Sequence, residues 1–588
     1  MQRSSGNYRR WHVGNASRAL LGSASIAVLL SVGTVAAKAE DAVTVKEIKE
    51  LKAQLKALEK KMNTKVVREA GGPIVKGPYM PPAPWDKKFH LNGITITPGG
   101  FIDFGAWYHN HMEASDNATA FGSLSNGTNA TYNTPETRMS ARQTRLSMLI
   151  TGDINPSTKI SAYLEGDMEG VGVSSLSYTN SFVPRMRQAW VGTDFNDVGF
   201  HVEVGQMWAL MGMQGPGGSF KPLTEVGPGG YGTASPGTGG LISTAGLVGQ
   251  MGGGVRDPGI RLTKDLPYNF TVAFAAEQNQ TTGCPSPAVG TTYNNVVVNP
   301  VYNITEASSG GVLNCAFEQS LGANGNGAVT NTMTMTHLPD FTGKLGWDPM
   351  VLGRQIHLEA VGILMDEYDE VSIPYPGSTV YPTTQKYDTF GWGAGGSLII
   401  PILPKLLDFQ GSAMIGRGIL RYGTTNINDA TINLNGSLHA LPEIMAYSGF
   451  TLHVTPAIDL YAFAGEERVL NADNVSNLGN GYTQYYSSPV ANNTGCYIVG
   501  GTCLGATEYV WEATVGGWDT LYEGAFGKLR AGLQLEYVDR TLFAGGSPTS
   551  TAAGVTGSPH FNYESVYASI RYFPFDAPPP APPLVSKY

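Results

Sequence analysis

The stretch from Lys159 to Trp208 constrains the fold more than any other part of the chain. In KISAYLEGDMEG, Ile160, Ala162, Leu164, Gly166 and Met168 share one face, and Lys159, Ser161, Tyr163, Glu165, Asp167 and Glu169 share the other. After a loop, PRMRQAWVG leads through a short turn into GFHVEVGQMW, where Phe200, Val202 and Val204 alternate with His201, Glu203 and Gly205. A period of two held over a strand length specifies β-structure with one apolar and one ionisable face. A soluble sandwich would bury the apolar face in a dry core. A membrane barrel turns that face to lipid and the polar face to a wet lumen.

The remaining sequence decides between the two. Charged residues are only 14% of the chain, and no run of about 18 apolar residues follows the first 40, so no later helical span is expected. Barrel strands, half apolar and half polar, need no such run. Alternation begins with Ile102, Phe104, Ala106 and Tyr108 against Asp103, Gly105, Trp107 and His109. Sixteen candidate strands begin near Phe101, Arg142, Thr158, Pro184, Gly199, Asp257, Tyr268, Thr336, Arg354, Asp388, Leu406, Pro442, Ala457, Glu508, Ala525 and His560. Links after even strands are short (DINPS, TDFND, KDLP, DPMVLG, PILPK, TP, LYEG), and links after odd strands are long and rich in Gly, Ser, Asn and Thr. Sorting of loop length by strand parity is a barrel property, with the turns periplasmic and both termini returned to that side. The predicted fold is an all-β, 16-stranded antiparallel outer-membrane barrel over residues 91–576, with a short N-terminal α-helical coiled coil.

The flanking segments read differently. Arg9, Arg10 and Arg18 precede the apolar run Ala19 to Val35 and then Ala37-Lys38-Ala39, which reads as a signal peptide, residues 1–39, with an uncleaved anchor as the alternative. Residues 1–39 hold five basic and no acidic residues, leaving 33 Lys+Arg against 47 Asp+Glu, a balance of −14 that argues against a nucleic-acid partner. In residues 40–69, Ile48, Leu51, Leu55, Leu58 and Met62 recur at 3, 4, 3, 4 spacing. That seam predicts a periplasmic oligomeric coiled coil or a helix docked on its own barrel. Residues 70–90 form a Pro/Gly linker and 577–588 a Pro-rich periplasmic tail. Cys284, Cys315, Cys496 and Cys503 suit two loop disulfides in an exported protein; three pairings are possible, with sequence-near pairs preferred, and no zinc pattern surrounds them.

Register follows from energy. Turning Ile160 to Met168 inward would aim Glu165 and Asp167 at lipid, and a one-residue slip would do the same to the whole strand. Arg145 therefore faces the lumen with Ser147 and Leu149, and Arg185 and Arg187 share the face opposite Met186 and Trp190. The pore-lining candidates are Arg145, Arg185, Arg187, Arg261 and Lys344 as the basic set and Glu165, Asp167, Glu203, Glu277 and Glu359 as the acidic set. On different walls they would set a field across the channel; the alternative is that they hydrate one another or pin a loop. The third loop, Leu210 to Arg256, is the expected constriction, with Lys221, Glu225 and Arg256 at the eyelet, although its composition also fits an external disordered loop. The last strand ends in Tyr572, Phe573 and Phe575, expected at the interface girdle. GWGAGG matches G-x-G-x-x-G, but no helix follows, so small residues for close subunit packing or a bent strand fit better than a dinucleotide site. His109 and His111 read as interfacial rather than as a metal pair. No cofactor, metal or catalytic set has a defensible spacing.

RQTRLSMLITGDI, AYLEGDMEG, RMRQAWVG, VEVGQMW, DPGIRL and GRGILRY, in this order, resemble segments of sixteen-stranded trimeric porins, especially the DcaP-like porins with an N-terminal periplasmic coiled coil. The resemblance implies a non-enzymatic homotrimer in the Gram-negative outer membrane, in contact with lipid and lipopolysaccharide. It also implies passive diffusion of small hydrophilic solutes, with a preference for anions such as dicarboxylates. The competing reading is a structural or surface-binding barrel held to the cell wall through the coiled coil.

Overall fold

The computed structural model describes residues 87–112, 119, 121, 124–170, 183–217, 219–224, 241–243, 246–278, 337–373, 383–425, 427–432, 437–472, 486–487, 492–545 and 557–576, with backbone segments at 292–293 and 296–297. The expected signal peptide, coiled coil, most of the linker and the Pro-rich tail lie outside these residues, as do Glu225, Cys284 and Cys315.

Alternation produces the strands it predicts. They are β1 Ile94–His109, β2 in two segments Glu136–Ser140 and Arg145–Asn155, β3 Thr158–Gly170, β4 Val183–Phe195, β5 Phe200–Trp208, β6 Arg256–Leu266, β7 Phe270–Glu277 and β8 Asp340–Trp347. The ring continues with β9 His357–Ile373, β10 Thr383–Leu403, β11 Leu407–Arg417, β12 Pro442–His453, β13 Ile458–Val469, β14 Thr507–Gly524, β15 Gly527–Leu542 and β16 His560–Phe573. Each pairs antiparallel with the next, and β1 closes on β16 from Ile102↔Tyr572 to His109↔Ser565. The sheet has 18 segments because β2 is interrupted and Phe89–Leu91 adds a short strand against Ile94–Ile96. The ring itself has 16 strands.

Several boundaries differ from the sequence reading. Strand β1 starts at Ile94 rather than near Phe101, β2 at Glu136 rather than near Arg142, β8 at Asp340 rather than near Thr336 and β10 at Thr383 rather than near Asp388, and Phe89–Leu91 is a strand at the end of the expected linker. Pro98 and the following glycines look like a break. They lie, however, where β1 pairs only with β2, since the β16 ladder begins at Ile102. A strand with one free edge tolerates a proline.

The outer surface is an apolar belt. Ile102, Phe104, Leu146, Leu164, Val204, Ile260, Phe274, Leu345, Leu364, Phe390, Ile415, Leu460, Val515, Leu533 and Ile570 are all exposed on it. Such a surface is unfavourable in water at about 25 cal/mol per Å² of apolar area and favourable in hydrocarbon. The inner face is not uniformly polar. At the end carrying the long loops, Val361, Ile363, Met365, Met414, Met445, Val469, Val510 and Val538 of the wall pack with Phe121, Leu124, Met211, Val248, Met251, Leu420, Tyr422 and Tyr486 from the loops. Part of the lumen is therefore a dry core. The GWGAGG glycines serve it: a Cβ on Gly393 would stand 2.9 Å from the Ile419 side chain, so the small residues make room inside the barrel, in the loop following β11.

Candidate functional site: the loop-crossed lumen

After Trp208 the chain turns into the barrel. Leu210, Met211, Met213 and Phe220 are buried. The N–H groups of Leu210 and Gln214 donate to Glu277 Oε1 (2.8 Å) and Glu359 Oε1 (3.0 Å). Lys344 Nζ donates to the carbonyls of Leu210 (3.3 Å) and Gly212 (2.7 Å), and Arg261 to those of Trp208 and Phe220. The second half of the loop is anchored half a ring away. Ile242 N–H donates to Gln534 Oε1 on β15 (2.8 Å), Val248 N–H to Glu512 Oε2 on β14 (2.9 Å) and Gly249 N–H to Glu467 Oε1 on β13 (2.8 Å). The described part of the third loop thus crosses the lumen. Removed from water, its N–H groups need acceptors, and the inner wall supplies them from the carboxyl groups of Glu277, Glu359, Glu467 and Glu512 and the amide oxygen of Gln534. Close approach requires glycine twice: Gly249 has φ +85°, and a Cβ on Gly465 would land on the Val248 carbonyl.

The charges pair with neighbours on the same wall. Arg187 Nε lies 2.6 Å from Glu165 Oε1 and its Nη1 2.7 Å from Asp167 Oδ2. Arg185 Nη2 lies 2.6 Å from both Asp167 Oδ2 and Glu169 Oε2, and Arg145 is 3.7 Å from Glu165. Arg261 meets Glu277 at 3.7 Å and Lys344 meets Glu359 at 2.9 Å, while Glu203 stands opposite Arg261 in register. The expectation of basic and acidic rows on separate walls is therefore overturned. Interleaving on adjacent strands puts a carboxylate beside Arg145, Arg185, Arg187, Arg261 and Lys344, without which desolvation would cost several kcal/mol per ion. Glu277, Glu359 and Lys344 also hold the crossing loop.

Two cations in this set keep substantial solvent access: the side chain of Arg185 is 34% exposed and that of Lys221 36%. Lys221 lies 2.7 Å from Asp194, which His201 joins to Asp265 through contacts of 2.8 and 3.1 Å. The Arg256 guanidinium stacks over Trp208 at 4.7 Å. His109 and His111 do not converge, since one contacts Ser565 and the other stacks on Tyr132.

Two side chains face the opposite way from the sequence reading. Trp190 is buried inside beside Tyr163, and Val191 is 57% exposed outside. The cause is a β-bulge: Glu165 pairs with Gln188 but Gly166 with Met186, so Arg187 is extra and parity inverts beyond it. Phe573 also points inward, 5.5 Å from Phe101, and does not join a girdle.

Sequence reasoning missed an inner row of alternating cations and rings. Arg145 lies over Phe101 at 5.2 Å, Arg571 over Phe101 at 4.4 Å and over Trp518 at 5.0 Å, and Arg530 over Trp518 at 5.2 Å. Arg571 and Arg530 are held by Asp103 and Asp459, each at 2.8 Å. The alternation of Tyr567, Ser569 and Arg571 was the available signal for one of them. Arg421 was also missed; from the loop after β11 it joins Asp340 (2.8 Å) and Asp257 (2.6 Å), while Tyr422 donates to Asp340. Burial pushes the Tyr422 hydroxyl well above the ordinary phenol range, keeping it a donor. Among the described residues, Cys496 and Cys503 form a disulfide in the loop after β13.

The outer-membrane channel DcaP of Acinetobacter baumannii is similar in structure, with a TM-score of 0.51 at 14% identity over 82% of this chain and 99% of that one. The likeness is one of fold. The anion-selective porin of Comamonas acidovorans (TM-score 0.38, 12% identity, 82% and 99% covered) and OprB of Pseudomonas putida (0.39, 10%, 81% and 94%) align too loosely to add to it. No protein-family model matches the chain, and no curated protein matches it significantly.

Proposed function

We propose that this protein is a trimeric outer-membrane porin passing small hydrophilic solutes, with a preference for anions such as dicarboxylates. The observation that carries the reading is the third loop, which narrows a closed barrel from inside. Arg185 and Lys221 remain as solvent-reached cations on the β2–β6 side, where a negative solute would meet them. The other pore-lining candidates shape the wall and hold the loop. The short turns face the periplasm, and the residues 40–69 helix clasps the trimer there. The test is purified protein in a planar bilayer: openings in threes with chloride passing more readily than potassium support the reading, and a silent bilayer defeats it. Deleting residues 41–65 weakens the oligomer on a heated gel while leaving the barrel folded; an equally heat-resistant trimer removes the helix from that role.

The loop-packed core favours one competing reading, a plugged barrel serving as a surface anchor. Absence of conductance in folded trimers would select it.

A further inference from the structure

We infer that the rim carrying the long loops bears a divalent transition-metal site on its outer surface, formed by His337, Asp366 and Asp388. The three come from the segment entering β8, from β9 and from β10, and their ligand atoms all lie within 4.8 Å of one another. Register brings them together. Phe341 pairs with Leu364, so His337 falls beside Tyr368, and the two rings are 4.7 Å apart. Tyr368 in turn pairs with Asp388, and Asp366 stands one same-face position along β9. This face is the outer one, since Leu364 and Phe390 on it are exposed.

The donor set selects the ion. One imidazole with two carboxylates suits zinc and its neighbours in the first transition row rather than Ca²⁺ or Mg²⁺, which prefer oxygen alone. Donors about 2 Å from zinc stand roughly 3–3.5 Å apart, so the present spacing needs only a small contraction. His337 Nδ1 is already 2.9 Å from Asp388 Oδ1. Asp366 is buried, and its Oδ2 accepts from the Leu338 N–H at 3.1 Å, which fixes it beneath the other two. A buried carboxylate beside a second carboxylate is stabilised by a cation between them. His337 and Asp388 are 57% and 43% exposed at the side chain, leaving an open side for a water or an anionic group as fourth ligand. Bound there, the metal would clip the return of the 278–339 connection onto the barrel wall.

The test is calorimetric titration of the full-length protein in detergent with Zn²⁺, then with Mg²⁺ and Ca²⁺, after chelator treatment. One Zn²⁺ per chain, not displaced by millimolar-scale Mg²⁺ or Ca²⁺, is expected. Loss of an outer-shell partner weakens a metal site about 10–100-fold, so His337→Ala or Asp388→Asn, each removing a direct ligand, weakens binding at least that much. His560→Ala, at an exposed histidine paired with Asp539, leaves it unchanged. Substituted Co²⁺ gives a visible absorption band that His337→Ala abolishes. No Zn²⁺ uptake, or equal uptake by His337→Ala and the parent, overturns the assignment. Both substitutions are at exposed side chains, and bilayer conductance is expected to survive them, which separates this outcome from any failure of the channel reading.

Discussion

The two sides of the lumen are built on opposite terms. Along β2 to β6 the inner wall is ionic: Arg145, Arg185 and Arg187 share Glu165, Asp167 and Glu169, and Lys221 of the loop meets Asp194. Along β9 and β11 to β15 the wall toward the long loops is Val, Ile and Met packed on loop residues such as Leu420 and Met251. The third loop crosses between them, its backbone tied to carboxylates on both sides. The difference teaches that a strand's inward face is not the same thing as a wet face. A second apolar layer, supplied by loops, makes a dry core out of one half of the barrel.

Several substitutions would break or sharpen this contrast. The largest effect belongs to the crossing segment. Replacing residues 213–252 by a short Gly/Ser linker removes the partition, and single-channel conductance is expected to rise several-fold; an unchanged conductance would mean that the loop does not narrow the path. Next, Leu420→Ala in the packed half is expected to cost about 2–5 kcal/mol, as truncations of buried leucines do. Heat-modified gel migration would show it as earlier unfolding, and a neutral result would deny the dry core. On the ionic half, Arg185→Glu with Arg187→Glu should lower the chloride-to-potassium permeability ratio several-fold, a change on the order of 1 kcal/mol. An unaltered reversal potential would take both residues off the conducting path. The smallest effect is that of Lys221→Ala. Its partly exposed pair with Asp194 is worth about 0–1 kcal/mol, so stability should hardly move while anion preference falls. A large loss of stability with no change in selectivity would make Lys221 a loop pin instead.

Much of this was legible in the residues. Strand number, the parity of short and long links, and the inward placement of Arg145, Glu165, Asp167 and Glu203 follow from a period of two and the need to keep charge out of lipid. The strand starts were legible to within a few residues except at β1, β2 and β10, which begin at Ile94, Glu136 and Thr383, well before the expected Phe101, Arg142 and Asp388; at β1, Pro98 and its glycines disguised the early start. The near pair Cys496–Cys503 was among the possibilities, and the structure contains it. Sequence pattern and residue type place Trp190 and Phe573 on the wrong face, for different reasons. The bulge at Arg187 is invisible to an alternation count, since it exists only against β3. For Phe573 the aromatic residue type suggests a girdle, whereas its parity with Arg571 points inward.

A closed wall with a greasy outside is written into the residues, because each strand carries its own two-residue pattern and lipid penalises any other register. What fills the inside is settled by contacts across the ring. Ionic partners, the cation–ring row and the route of the third loop all depend on which residues meet across the ring, and such meetings are set by closure, bulges and loop packing rather than by spacing along the chain.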